Sequence, residues 1–436
     1  MGLNKKPYKG CRDFFPKDMR VRQYLNQIMQ KSAESYGFEP YDGPLLEEVE
    51  LYKAKSGEEL INDQIYSFHD RGERFVAIRP EMTPTLARMI AASHRQTPKP
   101  IRWYSIPNLM RYENPQKGRL REHWQFNVDI FGAPDNTGEK ELLIMLIHFL
   151  ENLGADSSMF SIQINDRQIV DSFFQETLEV TNEEAYKLYK ILDRSKKISK
   201  EKLDAQINEL QLEANKVKAL RDYLLIKDLD ALQEFSTKYN LKKQTQNLFA
   251  IYNTLKNLNL EKYLIYDPTI VRGLDYYTGI VFEVFDKHPD NRRAIAGGGA
   301  YKDLLKIFNE EPLPGIGFGL GDVTLKDFLE VHKLLPDFSS PQFDLMICPL
   351  SDDVLEHSFK TALILRKAGL KIDHPLSKIK MNKVFKQAQA KGHKFIAVIG
   401  EDEAANNEIQ LKNLETREAK NFKQDNITEI KKFIEG

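Results

Sequence analysis

Only two cysteines, Cys11 and Cys348, occur among 436 residues, at opposite ends of the chain and without partners at metal-ligand or redox-motif spacing. They read as reduced structural thiols, which excludes a disulfide scaffold. The nine histidines show no ligand spacing and H-E-x-x-H is absent, so no protein-held metal is expected. No run approaches the ~20 apolar residues of a membrane span, and MGLNKKPYKG leads into no apolar signal-type stretch. A soluble, cytoplasmic protein with no membrane attachment is expected. Excess charge of one sign is also lacking. The 63 basic groups nearly cancel the 64 acidic ones, which rules out coating nucleic acid by bulk positive charge but not local basic patches.

What is present suits a folded chain of two to four domains, with 41% hydrophobic residues. An opening helix is predicted over Pro16–Tyr36, with Val21, Tyr24, Leu25, Ile28 and Met29 in one stripe and Gly37 at its end. From Phe38 to Ile130 short strands follow, among them FVAIRP, IRWYSIPNLMRY and HWQFNVDIF. Glu139–Leu153 reads as a helix with Leu142, Leu143, Leu146, Ile147 and Leu150 on one face. The next hundred residues are rich in Lys, Glu, Leu and Gln and read as amphipathic helices. Strand signals return in LIYDPTIVRGLDYYTGIVFEVF, AIAGGGAY and PGIGFGLG.

The economical organisation is a β-rich unit, residues 1–165 and 263–335, interrupted by a helical insertion at 166–262. After a helix near Leu325–His332, the Pro- and Ser-containing LLPDFSSPQ reads as a linker. Residues 342–436 then alternate strand and helix, with helices over Asp353–Ala368 and Lys378–Lys391. The fold class is α+β, with a separate C-terminal α/β domain.

Gly315, Gly317, Gly319 and Gly321 invite a dinucleotide reading that fails on spacing. Counting from Gly315, the third required glycine is Leu320; counting from Gly317, it is Asp322. Close backbone packing inside a sheet explains the run better. No G-x-x-x-x-G-K-S/T loop occurs, so any use of ATP is not of the P-loop type.

Three clusters remain. Arg79-Pro80-Glu81-Met82-Thr83 ends an apolar strand. Met110-Arg111-Tyr112-Glu113-Asn114-Pro115-Gln116-Lys117-Gly118-Arg119-Leu120-Arg121 precedes a strand bearing Gln125 and Asp129. Arg272-Gly273-Leu274-Asp275-Tyr276-Tyr277 lies between two apolar strands. In the second, Asn114–Gly118 is turn material, Arg111 projects from a strand, and Lys117, Arg119 and Arg121 flank the loop. Such cations suit a triphosphate held by bidentate guanidinium contacts, with Glu113 free to accept from an amino group. A solvated basic loop is the competing reading. The third cluster favours a site, because charge and phenol groups inside apolar strands are costly without partners.

These clusters resemble those of the histidyl-tRNA synthetases, a family of class II aminoacyl-tRNA synthetases. Arg272–Tyr277 is similar to the family's histidine signature, MRYENPQKGRLRE to motif 2, PGIGFGLG to the opening of motif 3, and Pro44 to the motif 1 proline at a dimer interface. The resemblance implies an antiparallel-sheet catalytic domain and a C-terminal anticodon-binding domain. It further implies ATP and L-histidine as substrates, Mg²⁺, tRNA(His) as partner, and a homodimer. By position, Glu81, Thr83, Gln125 and Asp129 match residues that hold histidine, and Tyr276 and Tyr277 the aromatic pair beside its imidazole. Arg111 matches the α-phosphate contact and Arg119 the cation nearer the β/γ phosphates. Arg272 matches the arginine near both the histidine carboxylate and the α-phosphate, so Arg111 and Arg272 carry the catalytic expectation. Glu113 and His123 complete the ATP set, His123 standing where the family has an adenine-stacking aromatic.

The chain departs from the family's pattern where motif 3 normally ends in an arginine: Thr324 stands there. It departs again at Gly297-Gly298-Gly299-Ala300-Tyr301-Lys302, where an arginine usually precedes the tyrosine. Losing one charge-assisted contact costs about 1.5–3 kcal/mol, and Lys302 and Lys326 are candidate replacements. These departures keep a second reading open, a non-aminoacylating regulatory subunit of ATP phosphoribosyltransferase. That paralogue generally lacks the anticodon-binding domain and degrades the RGLDYY signature. An RNA surface is expected on the C-terminal domain, where Lys371, Lys378, Lys380, Lys383, Lys386, Lys391 and Lys394 share a stretch whose one acidic residue is Asp373.

Overall fold

Strand signals from both sides of the Lys- and Glu-rich stretch meet in one sheet. The computed structural model describes residues 2–54, 63–196, 198–271, 276–338 and 343–435. These form two compact units, Met1–Phe15 with Arg22–Leu335, and Pro16–Val21 with Pro336–Gly436.

In the first unit the strands are β1 (Glu39–Pro40), β2 (Leu46–Glu48), β3 (Tyr66–His69), β4 (Phe75–Ile78), β5 (Ile101–Ser105) and β6 (Asn108–Met110). They continue with β7 (Glu122–Phe131), β8 (Phe160–Asp166), β9 (Leu264–Tyr266), β10 (Ile280–Asp286), β11 (Ala294–Tyr301) and β12 (Gly315–Gly321). The main sheet runs β1-β5-β7-β12-β11-β10-β8-β9, with β6 also on β7. Its interior pairs are antiparallel, and only the edge pairs β1–β5 and β8–β9 are parallel. A small sheet, β2-β4-β3, stands beside it in the chain order. The expected strand IRWYSIPNLMRY is divided, because Pro107, which has no N–H for a ladder, separates β5 from β6; its carbonyl accepts the Gln125 N–H.

Helix α1 (Pro16–Ser35) ends as expected, with Gly37 at φ +73°. Of the predicted stripe Leu25 and Met29 are buried, whereas Val21, Tyr24 and Ile28 are only half-buried. A short α2 (Val49–Lys53) and α3 (Thr83–Ser93) follow. In α4 (Thr137–Asn152), Leu142, Leu143, Leu146, Ile147 and Leu150 are all buried, as their spacing predicts. β8 leaves the sheet at Asp166 and the chain returns next to it as β9. The intervening helices are α5 (Arg167–Ser172), α6 (Asn182–Arg194), α7 (Lys200–Glu209), α8 (Ala214–Leu224), α9 (Leu229–Lys238) and α10 (Gln246–Asn257). Stacked Phe173 and Tyr223, with Phe235 edge-on, give these helices a core of their own. Helix α11 (Asp322–Val331) follows β12 directly and begins three residues before the helix expected from Leu325.

The second unit holds the sheet β14-β13-β15-β16-β17, formed by β13 (Leu345–Pro349), β14 (Ile372–Asp373), β15 (Phe395–Ile399), β16 (Glu408–Asn413) and β17 (Ala419–Lys423). Helices α12 (Leu355–Lys367), α13 (Met381–Ala390), α14 (Glu401–Asn406) and α15 (Ile427–Glu435) accompany it. Alternate residues of β13 enter two separate cores, Leu345 and Ile347 on one face, Met346 and Cys348 on the other. Helix α13 starts three residues later than the spacing predicts, because Lys380 is extended and the Ile379 N–H bonds the Pro349 carbonyl.

Candidate active site

The glycines of β12 are explained by what lies over them. Gly317 pairs with Asp129 of β7, and a Cβ on Gly317 would fall 1.9 Å from Asp129 Oδ1. A Cβ on Gly319 would fall 2.6 Å from Gln125 Nε2. The expected close packing is therefore approach of the Asp129 and Gln125 side chains to a bare strand. Because side chains alternate along a strand, His123, Gln125 and Asp129 share one face of β7, strung over about 20 Å.

Asp129 closes one end of this row. It is buried, accepts a hydrogen bond from the Tyr301 hydroxyl, and burial pushes its carboxyl up to about 7. Tyr301, which belongs to none of the three sequence clusters, thereby joins the candidate site. It stands in the Gly297–Lys302 segment, between the two positions that depart from the family's pattern. Tyr276 and Tyr277 are buried with ring centroids 4.7 Å apart, and Tyr276 meets Tyr301 edge-on at 6.0 Å. Four chemistry-bearing residues thus form one contiguous aromatic and acidic corner.

Glu81 and Thr83 come from the turn between β4 and α3. Glu81 is buried and Thr83 opens the helix. The turn is fixed by Arg79, whose Nη1 donates to Asp42 (2.7 Å) and the Gly43 carbonyl (2.8 Å) and whose Nε donates to the Asn108 carbonyl (2.9 Å). Arg111 Nε donates to the Pro80 carbonyl at 2.8 Å, so the second cluster is tied to the first.

A cleft of about 540 Å³ takes up the other end of the row, lined by Arg111, Glu113, Arg119, His123, Gln125 and Thr324 among others. His123 is held neutral, its basicity lowered to about 3 by burial and then by the Arg111 and Arg12 charges. A neutral imidazole suits a stacking role.

Several cations are committed elsewhere, and this corrects the sequence reading. Glu113 is not free to accept from a ligand amino group; it forms an ion pair with Arg119. Arg121 is buried under the opening segment. Its Nη1 donates to the Tyr8 hydroxyl (2.8 Å), its Nε donates to the Glu113 carbonyl (3.0 Å), and its guanidinium lies over the Tyr112 ring. Lys117 Nζ donates to the Asp290 carbonyl at 3.3 Å. Neither candidate replacement for the missing arginine lines the cleft. Lys326 pairs with Glu330 one turn along α11, and Lys302 lines a separate cavity beside Asp303 and Gly315. Arg272 lies outside the described residues.

The family pattern described as "Histidyl-tRNA synthetase" matches residues 10–324, and that described as "Anticodon binding domain" matches residues 344–433. A protein named histidine–tRNA ligase from Leptospira biflexa is 42% identical over 419 residues, spanning 95% of this chain and 94% of that protein. The crystal structure of histidyl-tRNA synthetase from Nostoc superposes with a TM-score of 0.82 at 25% identity, covering 99% of this chain and all of that one. A Bacillus halodurans structure titled as an ATP phosphoribosyltransferase regulatory subunit/histidyl-tRNA synthetase has a TM-score of 0.76 over 92% of this chain and 100% of its own, but at 19% identity it shares only the fold. With both matched segments present and a 42% identical relative spanning nearly its full length, the chain belongs to the histidyl-tRNA synthetase family.

Proposed function

We infer that the chain activates L-histidine with ATP and transfers it to tRNA(His). The observation that carries this reading is the buried Asp129–Tyr301 pair, set on the same strand face as a cation-lined cleft. A carboxylate steadied by a phenol is built to receive an imidazole N–H, and a site of that kind rejects analogues lacking the group by about 10⁴–10⁵ without editing.

In the first step the histidine carboxylate attacks the α-phosphorus, the bond to the β-phosphate oxygen breaks, and pyrophosphate leaves. Both reactants are anions, so the rate depends on positioning and on cations at the developing charge, not on a side-chain nucleophile. Arg111, anchored on the Pro80 carbonyl, is the α-phosphate contact in this reading, and Arg272 the second cation. Glu81, Thr83 and Gln125 position the amino acid, with Tyr276 and Tyr277 walling its ring. Mg²⁺ carried by ATP would supply offsetting charge at the phosphate oxygens. Nucleotide-borne Mg²⁺ takes one or two carboxylates and otherwise phosphate and water, and Glu283 in the cleft lining would fit such a contact. In the second step the terminal ribose hydroxyl of tRNA attacks the adenylate carbonyl and AMP leaves.

The C-terminal unit supplies the RNA contact in this reading. Lys378, Lys391 and Lys394 are paired with Asp352, Asp373 and Glu415, whereas Lys371, Lys380, Lys383 and Lys386 are exposed and make no ion pair among the described residues. A homodimer is supported by exposed Leu45 and Leu46 after Pro44 and by the half-buried Tyr24 and Ile28 of α1. Cytoplasmic residence accords with the described helices, none of which is long and apolar enough to cross a membrane. The regulatory-subunit reading is disfavoured by the anticodon-binding segment at 344–433.

Pyrophosphate exchange with each amino acid in turn tests the assignment. Exchange should require histidine and fall sharply in Arg272→Ala. Absence of histidine-dependent exchange in the wild-type protein would overturn the reading, and undiminished exchange in Arg272→Ala would remove that residue from catalysis.

A further inference from the structure

The loop from Lys287 to Arg293, between β10 and β11, carries two arginines that none of the three clusters contains. It is an ordered loop. Buried Asp286 at its base accepts from the His288 N–H (2.7 Å) and Asn291 Nδ2 (2.7 Å) and contacts His332 Nε2 (2.8 Å). Lys287 Nζ donates to the Ser157 carbonyl at 2.6 Å. The loop holds Arg292 and Arg293 against the cleft, and both line it.

Arg293 threads a narrow place. From an ideal Cβ built on Gly118, Arg293 Cδ lies 3.0 Å away and Thr324 Cγ2 3.4 Å away, so all three residues meet at one point. Gly118 has φ +71°, a conformation that favours glycine, and any side chain there would also press on Arg293. Thr324 contributes no charge, and its hydroxyl is turned inward to the Ile295 and Gly321 carbonyls, each at 3.2 Å. Neighbouring cations are occupied: Arg119 by Glu113, Arg12 by Asp322, Lys326 by Glu330. Arg292 and Arg293 make no hydrogen bond or ion pair among the described residues. A half-buried guanidinium beside a cleft, with no carboxylate partner, is poised for an anion that arrives with a ligand, and its fork geometry matches phosphate.

We propose that Arg293, assisted by Arg292, binds the terminal phosphates of ATP, delivering from the β10–β11 loop the charge that position 324 lacks. This deepens the ATP reading above and rests on it. Arg293, beside Gly118 of the hairpin loop, then holds the terminal phosphates, while Arg111 stays at the α-phosphate.

Equilibrium binding of ATP and of AMP, measured by calorimetry on the full chain without histidine, tests the proposal separately from the reaction. Arg293→Ala should weaken ATP roughly 10- to 150-fold, the range for one charge-assisted contact, and leave AMP unchanged. In pyrophosphate exchange the KM for ATP should rise by a similar factor while the KM for histidine holds. Adding Thr324→Arg to Arg293→Ala should recover ATP affinity. If Arg293→Ala melts early, Arg293→Gln takes its place. Unchanged ATP binding, equal losses for ATP and AMP, or no recovery in the double variant would each overturn the assignment. A wild-type protein that binds ATP but shows no histidine-dependent exchange would instead sink the functional reading and leave Arg293 standing.

Discussion

The two ends of the active site are built by different means. At the end proposed to take histidine, Asp129, Tyr301, Tyr276 and Tyr277 sit on or against the sheet, and Asp129 lies over the bare Gly317 of β12. At the end proposed to take the nucleotide, strands still line the cleft but its arginines stand outside them, on the segments 111–121 and 287–293, and Arg119 is already paired with Glu113. A strand fixes its residues by register, so the chemistry at the first end is tied to position. A loop can exchange one cation for another with little change in the scaffold, so the chemistry at the second end is tied only to net charge and reach.

The sharpest way to break this contrast is Gly317→Ala. Its new methyl would collide with the Asp129 carboxylate, and displacing a hydrogen-bonded substrate group while overpacking the sheet should lower histidine-dependent exchange on the order of 10³-fold. Near-normal exchange would show that Asp129 does not receive the imidazole. Next is Arg111→Ala, expected to cost about 10²–10³ in kcat with little effect on the KM for histidine, as measured by steady-state exchange. A rise in KM alone would make Arg111 a binding residue only.

Asp129→Asn separates stability from function. The carboxyl ordinarily titrates at 3.8 and here near 7, so between those values the folded state holds more protons than the unfolded one, and stability falls as pH rises through the window. Removing the charge should therefore raise the melting temperature at pH 8, by the equivalent of roughly 4 kcal/mol at most, and leave it unchanged at pH 3.5. Histidine activation should be lost in the same variant. Equal melting at pH 8 would mean the carboxylate is better solvated than its burial implies. The smallest effect is expected for Lys326→Ala, which breaks an exposed pair worth at most about 1 kcal/mol and should leave the KM for ATP within about twofold; a tenfold rise would return Lys326 to the nucleotide end.

The same contrast explains what the sequence disclosed. Periodicity alone located α4 and its buried face, and the return of strand signals after residue 262 located the second half of the sheet, because burial patterns are local. Asp129 and Gln125 were legible because their strand follows the hairpin motif directly. Tyr301 was harder to see, since its partner lies 172 positions away and only the antiparallel β11–β12–β7 register brings the two together. Arg119 and Glu113 were individually legible, but their mutual neutralisation was not, since pairing across a turn depends on backbone geometry that residue types leave open. Arg293 gave no signal at all: two adjacent arginines after Asp290-Asn291 are ordinary surface loop until a cleft is found beneath them.

The bare strip of β12 has a consequence for how such an enzyme can change its diet. A floor defined by missing atoms admits no gradual retuning, because the smallest addition at Gly317 or Gly319 lands on the very carboxylate or amide it supports. If Asp129 receives the imidazole as proposed, discrimination among amino acids is locked from below, and drift toward a new substrate begins overhead, with the tyrosine rings.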